Sequence, residues 1–383
     1  LNTHEAEITA VGHGGSGICR IDGQVCFVPY GLPGDVLRLR IVRQTKGVLW
    51  GEIDTVLTPS PDRTTPQCVN FGTCGACTWD HFAYPAQAEW KQRIVRETLA
   101  RIGGIEVEVA WREDAALRRG YRTRAEFHGD GHRFGFYALG SNTIVDTPQC
   151  SLCHPRVNEV LARLRELRPK GSVTVTVDPE GEAQLLWCNR PMPRVKDAFL
   201  AVNWPKDRAP RVHFLFDGIP IVNGTFAQAS LLLNRLLQAE VHRMLNGATR
   251  VLDLYCGNGN LSLGLAGEVE ILGIDHNAAV VQAANALAKG RFLQGGEDAF
   301  VHALSDEGWD AVLLDPPRTG AKEILPALAR SAAARMVYVS CDPATLARDL
   351  KALAAGHWRV QEVTVIDLFP HTSHMETVCL LGR

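Results

Sequence analysis

The chain has 383 residues, of which 46% are hydrophobic and 21% charged, with a formal net charge of −2. This length suits two or three domains rather than one, and the polar balance argues against long disordered tracts. A near-neutral charge excludes a globally basic nucleic-acid binder, so any such contact must come from local patches. No run of about 18 apolar residues occurs and LNTHEAEITA lacks a signal pattern, so we expect a cytoplasmic monomer with no membrane partner. Eleven cysteines in a reducing compartment point to metal, cluster or catalytic roles rather than disulfides.

Residues 1–58 alternate in short runs (AEITAV, ICRIDG, QVCFVP, DVLRLRIVR, LWGEIDTVL) separated by turn signals such as GHGGSG and GLPGD. That pattern predicts a small OB-like β-barrel. Residues 59–215 open with the proline-rich linker SPDRTTPQC and a cysteine cluster. A helical stretch, PAQAEWKQRIVRETLARIGG, and strand-like pieces follow, predicting a central α+β domain. From 216 to 383 a long helix (AQASLLLNRLLQAEVHRML) leads into β-branched runs alternating with alanine-rich helical stretches, the pattern of a doubly wound, Rossmann-like α/β sheet. The expected protein is therefore multidomain.

In such sheets ligands sit beyond the carboxyl ends of the strands, and here those ends carry polar residues. The first gives Asp253-Leu-Tyr-Cys-Gly257-Asn-Gly259-Asn260, the second Asp275, and the third Asp315-Pro316-Pro317-Arg318. An acid after the second strand suits the two hydroxyls of a ribose, in NAD and S-adenosylmethionine alike. A dinucleotide site wants a third glycine and a helix N-terminus close to a pyrophosphate. This chain has no third glycine and an acid ahead of the turn, which favours the ammonium and sulfonium of S-adenosylmethionine.

The fourth strand, MVYVS, delivers Cys341 ahead of the helix ATLARDLKALAAG, whose N-terminus is expected to stabilise a thiolate. The last strand pair gives Glu376. His371 and His374 lie on the same turn without the spacing of a zinc site. A thiol, a carboxylate and a methyl donor make sense together for a uracil ring. Thiolate attack at carbon 6 makes carbon 5 nucleophilic, and a base must then remove the carbon-5 proton.

Cys68, Cys74 and Cys77 are spaced for a tetrahedral zinc or an iron–sulfur cluster, given a fourth ligand. RRGYRTR, residues 118–124, sets four arginines around Tyr121, a composition that suits phosphate contacts and base stacking.

DLYCGNGN, LDPPRTG, VSCDPATLARDL and DLFPHTSHMETV, in that order, resemble the successive motifs of the RNA uracil-5-methyltransferase family, over nearly the whole chain. The resemblance implies Cys341 as nucleophile and Glu376 as general base. It implies cofactor contacts from Gln228, Tyr255, Asn260, Asp275 and Asp315, with Asp275 shorter than the Glu more common in the family. Gly296 departs from the family's acid or Asn, which leaves Glu297 or Asp298 for the adenine contact. It also implies a four-iron, four-sulfur cluster on Cys68, Cys74, Cys77 and Cys150, the last chosen over Cys153. GHGGSGICRIDGQVCFVPYGLPGD is similar to the TRAM domain, an RNA-binding module. Its presence favours the branch acting on 23S ribosomal RNA, with the T-loop uridine of transfer RNA as the alternative substrate. A non-catalytic RNA-binding relative would have lost Cys341 or Glu376, and both are present.

Overall fold

The computed structural model describes residues 3–287, 289–306 and 308–383. Two compact units emerge: residues 1–94 with 136–145 and 369–375, and residues 95–135 with 146–368 and 376–383. This division differs from the three regions expected from composition. The cysteine segment groups with the barrel, and most of the central region groups with the α/β sheet, because pairing between distant segments rather than local composition decides compactness.

In the first unit, six strands run in the order Thr3–Glu7, Val36–Thr45, Val48–Thr58, Gln24–Val28, Gly17–Ile21, Ala10–Val11. One segment, residues 3–11, borders both edges, since it pairs with Val36–Thr45 at one end and Gly17–Ile21 at the other. That is how a sheet closes into a barrel. The Asp22–Gly23 turn has both residues at positive φ (49° and 79°), matching the twist of its flanking strands. Alternate residues point inward, so Ile8, Cys19, Cys26, Val28, Leu37 and Leu39 form a core without solvent exposure. Below it the buried Asp35 accepts from the Leu32 amide (2.7 Å) and the Ser60 amide (2.8 Å) and pairs with Arg63, which ties the chain's exit to the barrel.

The second unit is built on an eight-stranded sheet. Its strands are Val109–Arg112 (β1), Arg250–Leu254 (β2), Glu270–Asp275 (β3), Arg291–Gln294 (β4), Ala311–Leu314 (β5), Arg335–Ser340 (β6), Arg359–Ile366 (β7) and Glu376–Gly382 (β8). They lie side by side as β4-β3-β2-β5-β6-β8-β7-β1. Strands β2 to β6 are parallel and β8 runs antiparallel between β6 and β7. Continuous β-branched and leucine runs, such as AVLL in β5, are buried on both faces as a helix-covered sheet requires. Strand order reverses between β2 and β5, so the crevice at that switch point opens beside the ends carrying Asp253 and Asp315.

Packed in the same unit, Arg124–Asp130, Lys170–Val177 and Gln184–Cys188 pair antiparallel. The helix Pro155–Leu167 starts with His154 accepting from the Arg156 amide and buries Val157, Val160, Leu161 and Leu164. The expected long helix is Leu231–Leu245, capped where the Ser230 hydroxyl accepts from the Leu233 amide at 3.0 Å. In RRGYRTR the structure departs from expectation. Tyr121 has no exposed surface and the Arg122 guanidinium lies over its ring at 5.8 Å, so this aromatic is core and offers no face to a base.

Candidate active site

All seven residues expected to bind the cofactor or carry the chemistry fall in the second unit. They lie at the carboxyl ends of β2, β3, β5 and β6, at the start of β8, and on the segment before the helix Leu231–Leu245.

After β2 the chain turns sharply. Tyr255, Gly257 and Gly259 all have positive φ (60°, 54° and 76°), a conformation glycine adopts at little cost. Nothing lies within 4 Å of the position a Gly257 side chain would take, so this backbone borders open space. The Gly257 amide donates to Asp275 Oδ2 at 2.9 Å, and the Asn277 amide donates to Oδ1 at 2.8 Å. The turn and the second acid are thus one hydrogen-bonded unit. Asn260 exchanges two amide hydrogen bonds with Asn234 (2.7 and 3.0 Å), which fixes the rim of the turn to the helix. The Tyr255 ring packs edge-on against Phe300 with centroids 4.7 Å apart. Gln228 is buried.

Asp253 is almost completely buried and accepts from the Ser262 hydroxyl at 2.5 Å. Burial pushes its carboxyl up to about 8, with further repulsion from Asp315 and Asp275 and partial relief from Ser262. Burial likewise raises Asp315 above the ordinary carboxylate range. Three neighbouring acids at the switch point, beside the open space at Gly257, suit a ligand that carries positive charge. S-adenosylmethionine fits this donor set, with acids for its ammonium and ribose and a side-chain-free backbone against which it can lie.

Glu376 is buried at the first position of β8, held well above the usual carboxylate range by burial and then by Asp315, while Arg318 acts in the opposite sense. Cys341 follows β6 and is half-buried. Its thiol is pushed up to about 11 by burial and by the Glu376 and Asp315 carboxylates, against a hydrogen bond and a favourable charge from Arg318. A thiolate stabilised by the following helix was expected. Asp342 caps that helix, accepting from the Thr345 amide at 2.8 Å, and brings a negative charge of its own.

Two residues escaped the sequence reading. Arg318 is the cation nearest in effect to both Cys341 and Glu376, and its only sequence signal is its place directly after Asp315-Pro-Pro. Phe226, two residues before the buried Gln228, is 74% exposed, unusual for a large aromatic residue.

The expected cluster cysteines are divided between the units. Cys68, Cys74 and Cys77 belong to the first and Cys150 to the second. Cys74 and Cys77 are buried, Cys68 is half-buried, and the Ala76 amide donates to the Cys74 sulfur at 3.4 Å. The Cys150 thiol is lowered by a hydrogen bond with Cys153, then by the Arg122 charge and nearby amides, against the effect of burial. Among the described residues, no three His, Cys, Asp or Glu side chains are gathered as a metal site.

Comparison with known proteins bears on this arrangement. Residues 299–383 match the tRNA (uracil-5-)-methyltransferase family model and residues 2–53 the TRAM domain model. A 23S rRNA (uracil(1939)-C(5))-methyltransferase of Chromohalobacter salexigens is 32% identical, over 98% of this chain and 88% of that protein. An uncharacterized RNA methyltransferase of Nitratidesulfovibrio vulgaris is 32% identical over 100% of this chain and 96% of its own length. Among solved structures, the Pyrococcus abyssi tRNA (uracil-54, C5)-methyltransferase in complex with S-adenosyl-L-homocysteine superposes with a TM-score of 0.78. At 23% identity it covers 98% of this chain and 99% of that one, which shows that the two share a fold.

Proposed function

The chain belongs to the RNA uracil-5-methyltransferase family, and from that premise we propose that it methylates carbon 5 of a uridine in 23S ribosomal RNA. The observation that carries the chemistry is the pairing of Cys341 with Glu376 beside three carboxylates at the switch point. The ribosomal substrate is supported by the relatives named for it and by the match to the TRAM domain model.

Cys341, its thiolate favoured by the Arg318 charge, gives its proton to solvent and attacks carbon 6 of the uracil. This places an electron pair on carbon 5 and its conjugated carbonyl. S-adenosylmethionine supplies an electrophilic methyl group, and carbon 5 takes it. Glu376 then accepts the carbon-5 proton, the ring double bond re-forms, and the carbon–sulfur bond to Cys341 breaks. The raised basicity of Glu376 suits it to that task at neutral pH. The uridine must leave its stack to reach Cys341, and the exposed Phe226 ring offers a face for a base beside the site.

The reading extends to cofactor contacts from Gln228, Tyr255, Asn260, Asp275 and Asp315, and to a four-iron, four-sulfur cluster on Cys68, Cys74, Cys77 and Cys150. The support for the cluster is the cysteine spacing, the Ala76 amide that donates to the Cys74 sulfur and the lowered Cys150 thiol. Its role on this reading is structural, so no step of the reaction passes through it. Anaerobically purified protein is expected to hold about four irons per chain, and zinc in their place would overturn the assignment.

The deciding experiment is transfer of labelled methyl from S-adenosylmethionine to unmodified ribosomal and transfer RNA, with nucleoside analysis. Label in 5-methyluridine from ribosomal RNA is expected. Label from transfer RNA alone moves the substrate, and label in neither refutes the reading.

A further inference from the structure

We propose that Asp349 is a positioning residue that holds Arg318 against Cys341 by latching the end of the Pro317–Gly320 turn to the strand that delivers the thiol. This rests on the reading of Cys341 as the nucleophile.

The Gly320 amide donates to the Pro317 carbonyl at 2.8 Å, closing a four-residue turn with Arg318 at its second position. The turn follows β5, which pairs with β6 up to Leu314 and Tyr338. Asp349, on the helix Pro343–Leu353 and fully buried, makes a further connection. It accepts from the Ala321 amide at 2.9 Å, immediately beyond the turn, and from the Tyr338 hydroxyl at 2.6 Å. Tyr338 lies on β6 three residues before Cys341. The neighbouring Arg348 donates to Asp349 through Nε at 2.8 Å and through Nη2 to the Thr319 carbonyl, also at 2.8 Å. Two consecutive helix residues therefore clamp both the third residue of the turn and the amide that follows it.

Gly320 shows how close the fit is. Its φ is +80°, and a side chain there would run into the Asp349 carboxylate, Thr345 and Arg348. A buried carboxylate with three kinds of donor converging on it is costly to place and is retained where geometry matters. Here the geometry it fixes is that of a guanidinium. Arg318 is itself exposed and unable to hold its position through burial, yet its turn follows β5 where Leu314 pairs with Tyr338 of β6, and its charge favours the Cys341 thiolate.

The test is the pH profile of Cys341 alkylation by iodoacetamide, read by peptide mass spectrometry without RNA or cofactor. Of the charged groups around that thiol, Arg318 favours the thiolate, Glu376 and Asp315 oppose it, and the adjacent Asp342 carboxylate caps the following helix. Asp349→Ala is expected to raise the apparent thiol pKa in the same direction as Arg318→Ala. Alkylation at pH 8 should slow roughly tenfold when the midpoint of the profile moves up by one pH unit. Asp349→Asn, which keeps an oxygen for the Ala321 amide, should move it less. In the Arg318→Ala background, Asp349→Ala should add nothing, because the route through the guanidinium is already gone. A native profile in folded Asp349→Ala, or additive effects in the double variant, would overturn the proposal. If Asp349→Ala does not fold, Asp349→Asn carries the same test, and an unchanged thiol there is equally fatal. Because no methyl transfer is measured, failure of the latch and failure of the proposed reaction show up in different assays.

Discussion

Cys341 and Glu376 lie opposite one another across β6 and β8, one step beyond the last backbone pair, Ser340 with Thr377. Opposed residues on antiparallel strands have Cα atoms about 5 Å apart, so thiol and carboxylate address the same small volume. Each also makes ionisation of the other harder, which is why a guanidinium nearby has such leverage.

That opposition separates the two roles. Cys341→Ala should lower methyl transfer by about three orders of magnitude or more and eliminate any covalent RNA adduct, with binding of S-adenosylhomocysteine unchanged by calorimetry. Glu376→Gln should instead accumulate the adduct, visible as a shifted band with labelled RNA on a denaturing gel, since attack and methylation precede the step it blocks. Loss of activity in Glu376→Gln without an adduct would assign the carboxylate another role.

Cofactor affinity should rise with pH. The Asp253 carboxyl is held up to about 8 in the free protein, so it is largely protonated at pH 6 to 7. A cationic ligand favours the ionised acid, lowers its pKa and so releases protons on binding. Affinity for S-adenosylmethionine should therefore climb from about pH 6 and level off above about pH 8. Calorimetry in buffers of differing ionisation enthalpy reads the released protons directly. Asp253→Asn should flatten the slope, leaving the part due to Asp315, and a flat profile in the native protein would refute the argument.

Gly259→Ala combines two penalties. Its φ of +76° disfavours a side chain, and the added carbon would approach Leu263 Cγ to 2.5 Å. A loss of about 1–3 kcal/mol is expected from the backbone conformation alone, together with weakened cofactor binding because the turn must move. Thermal unfolding with and without S-adenosylhomocysteine measures both.

In the barrel, Asp35→Ala removes a fully buried carboxylate that accepts from two amides and pairs with Arg63. Deleting one partner of such a set typically costs roughly 3–5 kcal/mol. Denaturant unfolding followed by circular dichroism should show the loss, and a midpoint equal to the native one would mean that solvent replaces the pair.

The sequence disclosed most where chemistry and periodicity coincide. Asp253, Asp275 and Asp315 stand at the ends of apolar runs, so the strands and the crevice could be read together, and Cys341 follows MVYVS in the same way. What stayed hidden depends on pairing between distant segments. Val109–Arg112 has no local mark of belonging to the large sheet, yet it pairs with β7. Tyr121 sits among arginines, and only its packing shows that it is core. The thiol at Cys341 looked poised at a helix start, but Asp342 places its own carboxylate there and accepts from the Thr345 amide, an outcome set by one side chain's rotamer. Arg318 became visible only once the turn after β5 and the end of β6 were placed side by side.

The carboxylates at the strand ends bear on more than catalysis. Asp253 is kept protonated in part by the negative charge of Asp315 and Asp275, so the free site carries a charge imbalance that a cationic ligand relieves. Whatever relieves it stabilises the folded chain in proportion to the logarithm of its concentration over its dissociation constant. On the proposed reading, the lifetime of this protein against proteases would track the cell's stock of methyl donor, and the enzyme would thin out when methyl groups are scarce.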